Sequence, residues 1–214
     1  MRWFGGSEEV QARSTGKTQT AQRTSRRSTG FAAFTHSLAD YDQVSVLDLG
    51  PTSAANITFL TGFGGRVYNV DVLRSSQDKA FLVRQEDGTE TLDAAKFFCE
   101  NLDYPEGQFD AILCWDIPDY LNEALVKPMV ERIHKILKPG GILLAFFHTK
   151  DAGHDSPYCR YHIVNKEVLD LEPRPDFRLQ RVFNNRHIEN LFKGFASLKF
   201  FLARDNIREV LVVR

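Results

Sequence analysis

Between Val44 and Asn56 the chain reads Val-Ser-Val-Leu-Asp-Leu-Gly-Pro-Thr-Ser-Ala-Ala-Asn, and this stretch constrains the fold more than any other. The apolar run Val44–Leu49, with two β-branched valines and one acid, is expected as a strand buried on both faces of a parallel sheet. Asp48 is costly near the end of such a strand unless a cation or a hydrogen-bond donor meets it, which places a site at the strand's carboxyl end. Gly50 permits a sharp turn, Thr52 or Ser53 supplies a helix cap, and Ile57, Phe59, Leu60 and Phe63 follow as the apolar residues of a helix. Strand, tight turn and helix N-terminus together make a ligand cradle.

The next segment extends the cradle. Gly62, Gly64 and Gly65 break the helix, and Arg66 to Asp71 resumes as a strand. Its terminal acid, Asp71, lies about 20 residues past Gly50, the spacing at which a carboxylate reaches ribose hydroxyls. The result is a right-handed βαβ unit. A third apolar run, Ala111-Ile-Leu-Cys-Trp115, also ends in an acid, Asp116. A dinucleotide turn needs further glycines for close approach of the pyrophosphate, and Thr52 and Ala54 stand where they would be. S-adenosylmethionine carries no phosphate, so the missing glycines count more against a dinucleotide than against this cofactor.

At 214 residues the chain suffices for one α/β domain with a substantial core. Its 27 Lys plus Arg against 28 Asp plus Glu leave a net charge of -1, so no global field steers it to nucleic acid or to an anionic membrane. Cys99, Cys114 and Cys159 are odd in number and widely spaced, which fits reduced thiols in a cytoplasmic protein. The apolar run Ile142–Phe147 is too short to cross a bilayer, and an Arg- and Ser-rich start is spoiled as a transit peptide by Glu8 and Glu9.

Residues 1–28 are poor in apolar positions and are expected as a polar, basic tail, disordered ahead of a domain over 29–214. Thr29–Tyr41 and Ser75–Glu86 read as helices, and Leu92–Glu100 fits either a third strand or a short helix. Leu121 to Leu137 has helical spacing interrupted by Pro128, so a kink or restart is expected there. Ile142–Phe147 reads as a buried strand, His148–Arg160 as polar loop, Arg160–Val164 as a short strand and Val168–Pro175 as irregular. Asn185–Leu191 reads as a helix, and Phe195–Ala203 with Ile207–Arg214 as a terminal β-hairpin.

In this order Val46-Leu-Asp-Leu-Gly, Val70-Asp71, Tyr104-Pro-Glu-Gly-Gln-Phe-Asp-Ala-Ile-Leu, Leu137-Lys-Pro-Gly-Gly-Ile-Leu-Leu and the closing hairpin resemble the class I S-adenosylmethionine-dependent methyltransferases over about Thr29 to Arg214. The resemblance implies a Rossmann-like α/β fold: a seven-stranded, mostly parallel sheet with helices on both faces and a C-terminal antiparallel β-hairpin. It implies S-adenosyl-L-methionine as cofactor. Asp48, Gly50, Pro51, Thr52 and Ser53 would lie against its methionine part, Asp71 would hold the ribose, and Val72 would touch the adenine. Asn101 and Leu102 would flank the adenine edge, and Trp115 and Asp116 would stand at the transfer point.

Methyl transfer is an in-line displacement, so alignment is the protein's main task, and a base is needed only when the nucleophile arrives protonated. Asp116 and His148, each at the end of a strand, are the candidates. His148, His154, Cys159 and His162 lack the paired spacing of a zinc site, so no metal is expected. The acceptor is expected to be a small molecule or a protein side chain; the sequence names neither it nor the oligomeric state. A catalytically silent relative that keeps the fold as a binding or scaffold module is the alternative. A nucleotide-sugar or NAD-linked enzyme on a similar sheet is told apart by the terminal hairpin.

Overall fold

The computed structural model describes residues 23–39, 41–150, 157–174, 176–202 and 205–214. A central six-stranded sheet is built from β2 (Ser45–Asp48), β3 (Arg66–Asn69), β6 (Phe109–Trp115), β7 (Leu137–His148), β10 (Ser197–Leu202) and β11 (Ile207–Val213), in the order β10-β11-β7-β6-β2-β3. Strands β2, β3, β6 and β7 run parallel, while β11 is antiparallel to both β7 and β10. The carboxyl ends of the parallel strands therefore open onto one edge, where the order reverses between β2 and β6 and a ligand crevice is expected.

Period-two alternation divides the sheet's side chains between two cores. Leu47, Ile112, Leu143 and Phe147 face one layer, with Phe97 of α4 (Ala94–Asn101), Met129 and Ile133 of α6 (Glu123–Ile136) and Ile188 of α7 (Asn185–Leu191). Val46, Leu113, Trp115 and Phe146 face the other, with Phe31 and Phe34 of α1 (Thr29–Leu38) and Leu60 of α2 (Ala54–Thr61). Over this second face lies a small antiparallel sheet, β1-β9-β8, made of β1 (Thr24–Arg27), β8 (Tyr158–Ile163) and β9 (Val168–Arg174), which adds Tyr161, Ile163 and Leu169 to the core.

Several expectations are corrected. The central sheet has six strands among the described residues, not seven. Ahead of α4, β4 (Leu82–Arg84) and β5 (Glu90–Leu92) add no strand to the central sheet and form a separate antiparallel hairpin. Its turn is built by Gly88 at φ +84° and by Asp87, which accepts from the Thr89 amide at 2.9 Å, so the chain folds back on itself. Ser75–Glu86 is not one helix: α3 spans Val72–Ser75, a 3₁₀ turn Lys79–Phe81, and β4 follows. The ambiguous Leu92–Glu100 segment is helical, as α4. Helix α6 continues through Pro128, because the carbonyl four residues back belongs to exposed Ala124 and is left to water.

The basic cluster of the expected tail is a strand. β1 pairs with β9 from Thr24↔Leu171 to Arg27↔Val168. Arg26 is 9% exposed, forms ion pairs with Glu209 at 2.5 Å and Asp205 at 2.8 Å, and lies over the Phe146 ring at 5.2 Å. Partnered burial of one guanidinium orders a segment whose apolar content is too low to do so. The rest of that expectation, residues 1–22, lies outside the described residues. β9 is likewise a strand where irregular chain was expected; Pro173 is tolerated because it stands beyond the last β1 partner, where β9 has one neighbour. No described helix is long and apolar enough to cross a membrane.

Candidate active site

The turn after β2 is held by the chain's own groups. Asp48 is 2% exposed: Oδ1 accepts from Trp115 Nε1 at 2.7 Å and from the Gly50 amide at 3.1 Å, and Oδ2 accepts from Asn56 Nδ2 at 3.0 Å. Burial raises its pKa, against the pull of these three bonds. The sequence required donors at this strand end, and they prove to be internal. A Cβ on Gly50 would stand 2.9 Å from Trp115 Cδ1, so the indole's approach needs glycine there.

From the neighbouring strand end, Asn69 Nδ2 donates to Asp48 O at 3.1 Å and to Gly50 O at 2.9 Å, while the Thr52 hydroxyl donates to Asn69 Oδ1. Ser53 rather than Thr52 caps α2, through the Asn56 amide, and its Oγ is bonded to His162 Nδ1 at 2.9 Å. His162 Nε2 in turn meets Glu172 at 2.8 Å. Pro51 and Thr52 keep exposed surface, whereas Gly50 and Ser53 are buried.

Asp71 stands half-buried beyond the end of β3 and caps α3, its Oδ1 accepting from the Arg74 amide at 3.1 Å. Val72, Leu102 and Trp115, expected along the adenine and at the transfer point, are 0–1% exposed core residues instead. Asn101 turns its amide back to Phe97 O at 2.9 Å. These positions lie near the crevice in sequence, but the apolar ones carry the layer beneath it.

The second acid centre lies past β6. Trp115 has φ +52°, rare for a bulky residue, and is held there by its bond to Asp48 and by Tyr161, stacked on it at 4.8 Å. The turn launches α5 (Ile117–Tyr120) with Asp116 at its N-cap and Pro118 in its first turn. Asp116 is 1% exposed; Oδ2 accepts from Tyr161 OH at 3.0 Å, and Oδ1 is buried without a hydrogen bond. Burial pushes its pKa up to about 7, with the His148 charge opposing and the Asp119 charge assisting.

His148, at the end of β7, is bound by Asp119: Oδ2 accepts from the His148 amide at 2.6 Å and pairs with Nδ1 at 2.9 Å. Burial acts to lower the imidazole's pKa, but the Asp119 bond and the Asp116 charge outweigh it and the net direction is upward. Asp119 itself is raised by burial, and its Oδ1 also lacks a partner. The structure thus brings Asp116 and His148 into one network and adds Asp119, Tyr120, Tyr158 and Tyr161, none of which the sequence reading named. Asp119 had a local signal, since a proline-marked helix start at Asp116 puts the residue three further on the same face. The tyrosines of β8 had none, because their placement depends on the second sheet. His148 and His162 belong to separate networks.

A family model described as a methyltransferase domain matches residues 19–195, and the chain belongs to the class I S-adenosylmethionine-dependent methyltransferases. Among solved structures it resembles an S-adenosylmethionine-dependent methyltransferase from Archaeoglobus fulgidus, at 9% identity and a TM-score of 0.52, over 86% of this chain and 92% of that one. It also resembles 1,6-didemethyltoxoflavin-N1-methyltransferase from Burkholderia thailandensis, solved with S-adenosylhomocysteine, at 15% identity and a TM-score of 0.49, over 87% and 77% of the two chains. No curated protein matches the sequence. The family's cofactor is S-adenosyl-L-methionine. The residues at these strand ends fit such a group: Thr52 is exposed and Asp71 half-buried, and the stacked Trp115 and Tyr161, bonded to Asp48 and Asp116 respectively, set the turn after β2 beside the acid centre.

Proposed function

We propose that this chain is an enzyme that moves the methyl group of S-adenosylmethionine to an acceptor bound over the carboxyl end of β6. The observation that carries the reading is Asp116: a buried carboxyl just past the carboxyl end of β6, with one oxygen that accepts no hydrogen bond and a pKa pushed up to about 7, suited to take a proton at neutral pH. The cofactor, when bound, supplies an electrophilic methyl carbon. Asp71 would hold the ribose hydroxyls through the oxygen that does not cap α3, and Pro51 and Thr52 would border the methionine part.

Within the chain, Tyr161 fixes the Asp116 carboxyl by donating to Oδ2, which leaves Oδ1 to receive the acceptor's proton. Asp119 orients His148 through Nδ1 and through the backbone amide, so His148 is a positioned partner of the acid centre. Tyr161 of β8 covers Asp116, which is 1% exposed, and so keeps water from it.

The test is release of S-adenosylhomocysteine from pools of small-molecule and peptide acceptors. Asp116→Asn should lower turnover by about 10²- to 10⁴-fold. Parental turnover in that variant would remove Asp116 from the chemistry.

A further inference from the structure

We propose that the Asp116–Asp119 pair, flanked by Tyr120, Tyr158 and Tyr161, seats the amino group of a small amine, so that the atom methylated is nitrogen. This rests on the methyltransferase reading and names its acceptor class.

Asp116 at the N-cap of α5 and Asp119 within it stand three residues apart, hence on one side of the turn. Each has its Oδ2 engaged, by Tyr161 OH in one case and by His148 in the other. Each also has an Oδ1 that is buried and accepts nothing, although Asp116 is 1% and Asp119 0% exposed. Buried carboxylate oxygens are ordinarily satisfied, so two on one side of the turn mark a missing donor.

The chemistry of that donor is restricted. A hydroxyl brings one hydrogen, a carboxylate or phosphate brings none and is repelled, and a thiol donates weakly. An ammonium brings two or three hydrogens and a positive charge to two acids, and the one basic side chain paired with them among the described residues, His148, is already committed to Asp119 Oδ2. The surrounding rings suit a cation as well. Tyr158 and Tyr120 meet edge to face at 5.2 Å, and Tyr120 and His148 at 5.7 Å.

Tyr158, 1% exposed and edge to face with Phe177 at 5.2 Å, closes the acid centre from β8. In the step itself the ammonium gives one proton to Asp116 Oδ1. The freed lone pair forms the N–C bond as the S–C bond breaks, with its electron pair passing to sulfur. The product leaves as a methylated ammonium, and Asp116 returns its proton to solvent.

The experiment is calorimetry on the full chain saturated with S-adenosylhomocysteine. Benzylamine, phenethylamine and butylamine are each titrated against the alcohol of the same skeleton. At least one amine should bind tenfold or more tighter than its alcohol, and Asp116→Asn and Asp119→Asn should each erase that preference, with S-adenosylhomocysteine affinity read in the same cell as the check on folding. Binding of S-adenosylhomocysteine with no amine preferred over its alcohol would overturn the amine seat and leave the methyltransferase reading standing. Failure to bind S-adenosylhomocysteine would overturn both.

Discussion

Tyr161 lies flat against Trp115, with ring centroids 4.8 Å apart and planes 3° from parallel. One edge of this pair holds Asp48 through the indole nitrogen, and the other holds Asp116 through the phenol. The stack therefore couples the turn after β2 to the acid centre after β6, and it does so from a strand outside the main sheet.

If the rings carry this coupling, Tyr161→Ala should cost about 3–5 kcal/mol, as for deletion of a buried aromatic. Tyr161→Phe, which loses only the bond to Asp116, should cost about 1 kcal/mol. Urea denaturation of both variants separates the contributions; equal losses would put the weight on the hydroxyl instead.

Asp116 gives stability a pH dependence of definite sign. Its folded value, about 7, lies above the unfolded value near 3.9, so between them the folded chain holds a proton that the unfolded chain has released. The group's contribution is intact below about pH 4 and is lost as pH rises through 7, by about 4 kcal/mol in full. Asp116→Asn should therefore raise the thermal midpoint more at pH 8 than at pH 5. An equal change at both would show that the buried carboxyl carries no such penalty.

Gly65→Ala should prevent folding, because a Cβ there would stand 1.6 Å from the Val44 carbonyl oxygen, where the chain enters β3 beside β2. Circular dichroism of the variant checks it. A native spectrum would mean that the two strands can part at this point.

Arg26→Met leaves Glu209 buried with its charge unpaired and should cost about 3–5 kcal/mol. The double variant Arg26→Met/Glu209→Gln keeps an acceptor for the Gly30 amide, which Glu209 Oε2 binds at 2.5 Å, and should recover most of the loss. No recovery would locate the cost in β1 pairing rather than in the charge.

The sequence revealed the parallel strands and the closing hairpin because buried strands and Pro-Gly corners are local signals, and α7 was legible to the residue. Acids at strand ends were equally visible, but not their partners: Asp48 draws on Asn56 and Trp115, and only the folded chain shows that its donors are its own. The second sheet escaped because its evidence is non-local. β1 looks like a polar tail until Arg26 meets Glu209 across the fold, and β9 looks irregular until β8 and β1 flank it. Asp119 was within reach by helical spacing; Tyr158 and Tyr161 were not.

The central claim, a cofactor crevice at the ends of β2 and β3, is tested most directly by calorimetric titration of S-adenosylhomocysteine into the parent and into Asp71→Asn. The asparagine keeps an oxygen to cap α3, so a change in affinity reports the lost charge and not a lost helix. The account predicts that the parent binds and that Asp71→Asn binds roughly 10- to 150-fold more weakly, the equivalent of about 1.5–3 kcal/mol for hydrogen bonds to a charged group. Equal affinities in the two proteins, or no binding by the parent, would contradict it.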